Sequence, residues 1–174
     1  MKKVGMILGA GILLAIVLLG WWVFSRPERG TTGAVNPDAL ERAWDAGCVP
    51  LLPPLAVDVH GAGLLNVDGD RLAAATAASV GADVLVILSN VPGLLADPAR
   101  PESLVERASL QDWPGLEQMA KGNMKRKLLA CREALEQGIE RVCLADSRVD
   151  RPLSHALEGS GTHLCQAAFT EAAV

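Results

Sequence analysis

The sequence predicts an α/β fold, a mainly parallel sheet with flanking helices, preceded by a transmembrane helix. Three observations carry this reading. Short apolar runs at Val84 to Leu88 and Arg141 to Ala145 alternate with helical stripes, the ordering of strand–helix–strand units. Val84 to Leu88 is apolar at every position, as in a strand buried on both faces. Val4 to Phe24 is a run of 21 residues without a charge, long enough to span a bilayer.

The first segment is expected to be a membrane anchor over residues 1–24. Lys2 and Lys3 precede the apolar run, and Trp21 and Trp22 near its far end suit an interfacial belt. A cleaved signal peptide is the rival reading. Its apolar core is typically roughly 7–15 residues and ends in a small-x-small site. Trp21-Trp22-Val23-Phe24 offers no such site, which favours a retained single-pass anchor in contact with membrane through residues 4–24. Orientation stays open, because Arg26 and Arg29 on the far side balance Lys2 and Lys3. Residues 25–32 read as a polar linker with Pro27 and Gly30, and 33–174 as the folded domain.

Asn36 offers an N-cap and Pro37 a first helical position. Ala39, Leu40, Ala43 and Trp44 form a stripe, and Gly47 closes the helix. Val49 to Val57 reads as a strand ending in a bend at Pro53 and Pro54, since proline cannot donate to a central ladder. After Asn66-Val67-Asp68-Gly69-Asp70, an alanine-rich helix is expected from about Arg71 to Val80, stopped by Gly81. The strand at Val84 to Leu88 leads into the turn residues Ser89-Asn90-Val91-Pro92-Gly93. Asn123 to Gln137 is a helix with Met124, Leu128, Cys131 and Leu135 on one stripe, ended by Gly138. Arg141 to Ala145 follows as a strand, then a short helix over Pro152 to Leu157 and the glycine-rich turn Gly159-Ser160-Gly161-Thr162. In open parallel sheets ligands gather at the C-terminal ends of strands, which places 66–70 and 89–93 on that rim.

Composition narrows the function. The chain has 174 residues and a formal charge of −4, room for one domain and a tail, and an acidic balance that argues against a nucleic-acid partner. Cys48, Cys131, Cys143 and Cys165 form no C-x-x-C pair and have no histidine at zinc spacing, so they read as reduced, mostly buried thiols and no metal site is expected. His60, His155 and His163 are scattered and read as loop or surface residues. No Walker P-loop is present.

Three stretches in order resemble the amino-acid kinase family, specifically the acetylglutamate kinases and carrier-protein-linked aminoadipate kinases. They are Asn66-Val67-Asp68-Gly69-Asp70-Arg71-Leu72-Ala73-Ala74, Leu88-Ser89-Asn90-Val91-Pro92-Gly93-Leu94-Leu95, and Gly122-Asn123-Met124-Lys125-Arg126-Lys127. Gly30-Thr31-Thr32-Gly33 and Gly161-Thr162 are lesser echoes. The resemblance covers roughly the last three quarters of the chain. It implies an amino-acid kinase-like fold, incomplete here, and transfer of a phosphoryl group from ATP with Mg2+ to the side-chain carboxylate of an N-acylated glutamate or aminoadipate, in arginine or lysine biosynthesis. Lys127 matches the lysine that contacts the transferring phosphoryl group, and free N–H groups at the helix start could add to its charge. Asp70 matches the carboxylate that orients catalytic lysines. Asn66 matches the residue that contacts the acylated amino acid. Ser89, Asn90, Gly93, Gly122 and Met124 match the nucleotide site, with Lys127. Asn90 stands where many members carry Asp, and Asn-Val-Pro-Gly tilts the resemblance toward the lysine-type branch. Each residue has a plainer reading as well: Lys125 to Lys127 as a solvated basic turn, Asp70 as a helix N-cap, Asn66 as a turn residue.

The resemblance stops at the first half. Family members begin with Lys-x-Gly-Gly on a strand and a glycine-rich loop, of which Lys3-Val4-Gly5-Met6 is only a faint echo. The expectation is therefore a nucleotide-binding half that is inactive alone, with a separate chain as the possible source of the other half. The alternative is a membrane-anchored, non-catalytic nucleotide-binding or interaction module. A working kinase would need its soluble part in the cytoplasm, where ATP is.

Overall fold

The computed structural model describes the backbone of residues 12–15 together with residues 35–58, 61 and 63–167. It has one five-stranded mixed sheet, flanking helices and a separate hairpin. Strand β1 is Ile12–Ala15, β4 is Val84–Ser89, β5 is Arg107–Ser109, β6 is Arg141–Asp146 and β7 is Thr162–Cys165. Their order in the sheet is β1-β4-β6-β7-β5. The pairs β1–β4, β4–β6 and β5–β7 are parallel, whereas β6 and β7 are antiparallel.

The expected membrane span is corrected here. Ile12–Ala15 lies in the middle of the run Val4 to Phe24 and pairs parallel with β4, Ile12 opposite Val84 and Ala15 opposite Ile87. A membrane-crossing helix through residues 4–24 and a single-pass membrane location are thereby overturned. Among the described residues, no helix is long and apolar enough to cross a membrane. The physical reason is that a strand buried in a parallel sheet is as uniformly apolar as a membrane helix, so hydropathy alone does not separate them. Gly9 and Gly11, just ahead of the strand, were the available punctuation. The linker, Gly30 to Gly33, Lys3 to Met6 and His60 lie outside the described residues.

The helices are α1 (Pro37–Asp45), α2 (Gly69–Ser79), α3 (Trp113–Met119), α4 (Asn123–Glu136) and α5 (Pro152–Leu157). Side chains alternate across the sheet with the two-residue period of a strand. Leu85 and Ile87 of β4, with Val142 and Leu144 of β6, join a large core with α2, α3 and α4. Val86, Leu88, Cys143 and Ala145 point to the other face, where α5 covers them with Ala156, Leu153 and Leu157. Of the predicted stripe of α4, Leu128, Cys131 and Leu135 are fully buried, whereas Met124 at its start is half-buried against the core.

Two expectations shift. The strand predicted from Val49 starts only at Leu55. The hairpin pairs β2 (Leu55–Val57) with β3 (Leu64–Asn66), because Pro53 and Pro54 have no N–H to offer a ladder. This region is unusually apolar outside: Val49 and Leu51 are 86% and 80% exposed, Val57 and Leu64 72% and 69%. Second, β7 returns antiparallel to β6. The six residues of α5 span only ~9 Å, short of the ~20 Å length of a six-residue strand. The chain therefore re-enters the sheet at the rim it left, with Leu144 opposite Thr162.

His163, read as a loop or surface residue, is buried in β7, its Nε2 3.7 Å from the Cys143 thiol. Burial, aided by the nearby Arg141 charge, holds the imidazole below its usual value, while hydrogen bonds to the Ser160 and Gly159 backbone pull the other way. The unfolded chain then takes up this proton at higher pH than the folded one. Stability present above an unfolded pKa of about 6.5 falls as pH drops through the lower folded value. Thermal melts between pH 7.5 and 5 are expected to show a smaller acid loss in His163→Gln than in the wild type. The four cysteines are free; Cys131 and Cys143 are buried, Cys165 half-buried and Cys48 exposed. Burial pushes the Cys143 thiol up to about 12, and that of Cys131 higher still.

Candidate functional site

The start of α2 and the second turn of α4 meet beside the C-terminal end of β4. The N-cap of α2 is Asp68, whose Oδ1 accepts the amides of Asp70 and Arg71 at 3.0 and 3.2 Å. The capping role anticipated for Asp70 thus belongs to Asp68, which leaves the Asp70 carboxylate available to α4. Lys127 Nζ donates to both Asp70 oxygens, at 3.1 and 3.0 Å. The two side chains are only 16% and 11% exposed. So enclosed, the pair attracts more strongly than in water, and losing either partner strands the other charge.

Asp70 and Lys127 line a cleft of about 520 Å³ together with Ser89, Asn90, Gly93 and Met124. Leu88, Leu94, Leu95 and Met119 give it apolar wall, and Lys121 and Arg126 bring two further cations. Arg126 is steadied by Asn123, whose Oδ1 accepts from Nη2 at 2.6 Å. The turn after β4 is held by β7: the Leu94 amide donates to Thr162 Oγ1 at 2.8 Å. Thr162 comes so close that a Cβ on residue 93 would stand 2.5 Å from its hydroxyl, so the position takes glycine.

Two of the sequence-predicted residues are not on this wall. Asn66 ends β3, exposed and opposite Leu55 of the hairpin. Gly122 is the exposed N-cap of α4, between the lining residues Lys121 and Asn123. The start of α4 also offers fewer unpaired amides than expected. Met124 N–H donates to Lys121 O at 3.0 Å and Lys125 N–H to Gly122 O at 3.3 Å. Side-chain cations therefore carry most of the positive charge. Sequence reasoning missed Asp68, Lys121 and Arg126 as parts of the site. The Asp-Gly pair opening an apolar helix signalled a cap, and the two cations flank a motif already singled out.

Residues 6–146 match the sequence profile of the Amino acid kinase family, most of the chain. The chain belongs to the amino acid kinase family. Among relatives, a [LysW]-aminoadipate kinase of Thermus thermophilus is 42% identical over 135 residues, covering 76% of this chain and 50% of the relative. An acetylglutamate kinase of Methanothermobacter thermautotrophicus is 32% identical over 126 residues, 71% of this chain and 43% of that protein. The chain thus spans about half the length of the curated relatives it matches. Among solved structures, N-acetylglutamate synthase from Neisseria gonorrhoeae complexed with coenzyme A and L-arginine superposes with a TM-score of 0.69. It is 28% identical, and the match covers 83% of this chain and 36% of that one. A carbamate kinase of Giardia, at TM-score 0.54 and 20% identity, shows the same fold. In this amino acid kinase chain the cleft at the rim of β4 joins a buried ion pair, two more cations and an apolar wall.

Proposed function

We propose that this chain forms the nucleotide-binding half of an ATP-dependent kinase acting on the side-chain carboxylate of an N-acylated glutamate or aminoadipate, free or carrier-linked. The observation that carries the reading is Lys127, held between both oxygens of Asp70 on the wall of a cleft that also presents Lys121 and Arg126. An apolar wall suits a flat base, and clustered cations suit a polyphosphate. Bound ATP supplies the transferable phosphoryl group. Phosphoryl transfer asks the protein for positioning and charge neutralisation rather than covalent chemistry. Lys127 places a positive charge at the transferring group, and Asp70 keeps that ammonium aimed. A carboxylate substrate is already ionised at neutral pH, so Asp70 has no proton to remove. Among the described residues, no group of three His, Cys, Asp or Glu side chains could hold a metal. Mg2+ is expected to arrive on the nucleotide's own phosphates.

Asn66 in this reading contacts the acylated amino acid from outside the nucleotide cleft, in a pocket completed by the other half of the fold. Because the relatives are about twice as long, nucleotide binding is assigned to this chain and turnover to the completed domain. Calorimetric titration with MgADP is expected to give saturable one-to-one binding. Hydroxylamine trapping with MgATP and N-acetylglutamate is expected to give no hydroxamate from the chain alone, and hydroxamate when the complementary half is added. A folded chain that does not bind MgADP would sink the reading.

The likeness to N-acetylglutamate synthase favours a second reading, because that protein is not named for a kinase activity. In it the chain is a non-catalytic nucleotide-binding or interaction module. Nucleotide binding with no hydroxamate even from the completed domain would select it.

A further inference from the structure

The Asp70–Lys127 pair joins two helices whose buried residues are mostly small. Beside Asp70, α2 buries Ala73, Ala74, Thr76 and Ala77, and α4 buries Ala130, Cys131 and Ala134 between Leu128 and Leu135. Small side chains let helices approach closely but supply shallow ridges and grooves, so packing alone sets their sliding register weakly. Besides Asp70–Lys127, the described residues show one side-chain link between these helices. Arg71 donates from Nε to Glu133 Oε2 at 2.8 Å and from Nη2 to Glu133 Oε1 at 2.6 Å. Two parallel hydrogen bonds from a planar guanidinium fix angle as well as distance. Arg71 directly follows Asp70 in the first turn of α2, so any slip of that turn moves both residues together.

We propose that Arg71 and Glu133 are positioning residues: their fork sets the register of α2 against α4 and so holds the Asp70 carboxylate opposite Lys127 Nζ. Its consequence for catalysis rests on the kinase reading above; the register itself does not. The Arg71 and Glu133 side chains are 33% and 26% exposed. A single partly exposed pair is expected to move the melting temperature modestly, so its effect is sought in the alignment of the inner pair.

The test compares the full chain with Arg71→Gln, Glu133→Gln and the charge swap Arg71→Glu/Glu133→Arg. Three quantities are read: the melting temperature, MgADP affinity, and acylation of Lys127 by an amine-reactive acetyl ester, scored by mass spectrometry against the exposed Lys125. Enclosed by Asp70, Lys127 is expected to react slowly in the wild type. Each single variant is expected to raise the Lys127-to-Lys125 ratio and weaken MgADP binding by roughly fivefold, with little change in melting temperature, and the swap to restore both. Glu133→Gln, which keeps the side chain's shape, serves if Arg71→Gln does not fold. An unchanged ratio in the folded single variants overturns the proposal. So does a rise that follows a collapse in melting temperature and is not reversed by the swap, since that marks general loosening. If the wild type binds no MgADP while the ratio responds as expected, the nucleotide reading fails and the register assignment stands.

Discussion

Lys127→Met is expected to weaken MgADP binding on the order of a hundredfold, the loss of one buried, charge-assisted contact. Methionine keeps the length and apolar stem of lysine and removes the charge, so the loss reports the ammonium rather than the packing. Stability falls too, because the enclosed Asp70 carboxylate is left without its partner. The double variant Asp70→Asn/Lys127→Met separates the two effects. With no charge stranded, its melting temperature is expected to recover while its affinity does not. Lys127→Arg is expected to rescue only in part, since a guanidinium fork does not fill the space of a compact ammonium. Calorimetry alongside thermal melts reads all three variants.

Gly161→Ala is expected to be the most damaging one-carbon addition among the described glycines. Gly161 has φ +101°, and a Cβ there would run into the Leu144 carbonyl oxygen and stand 3.2 Å from Ala145 Cα. Both obstacles belong to the β6 strand, which has no slack. Conformational strain and backbone displacement together cost roughly 3 kcal/mol, and the melting temperature should fall by about 10 °C. Gly115→Ala is the control. It adds the same carbon in α3, where nothing lies within 4 Å, and is expected to leave the melting temperature unchanged or slightly raised. Because the neighbouring Thr162 hydroxyl holds the Leu94 amide, MgADP binding is expected to suffer with Gly161→Ala as well.

The sequence spelled out the elements that bury a strong period. Val84 to Leu88, the α4 stripe and the Pro152 helix were legible because apolar spacing, a proline at the first turn and a glycine stop agreed with one another. The stretch after Leu95 was not. Strand β5 has three residues, and Trp113-Pro114-Gly115 opens α3 with two residues that usually punctuate loops. Strand β7 hides behind its glycine turn, as Thr-His-Leu-Cys shows no alternation. Residues 12–15 misled through length: the apolar run exceeds what one strand needs, and only the pairing with β4 reveals what its centre does. Of the site, the order of the three motifs could be read, but no local pattern places Lys127 beside a carboxylate 57 positions earlier. That juxtaposition depends on how α2 and α4 pack together, which no local period of the sequence records.

The two faces of the sheet are unequal. Asp70 and Lys127 stand on helices rooted in the thicker layer, with α3 beside them, while among the described residues the opposite face carries the thin cover of α5. The arrangement is that of a bench bolted on one side and veneered on the other. Fraying of α5 would bare Val86 and Cys143 and leave α2 and α4 on their mounting, but it would reach the tool on top through Leu88, which the cleft shares with the veneer.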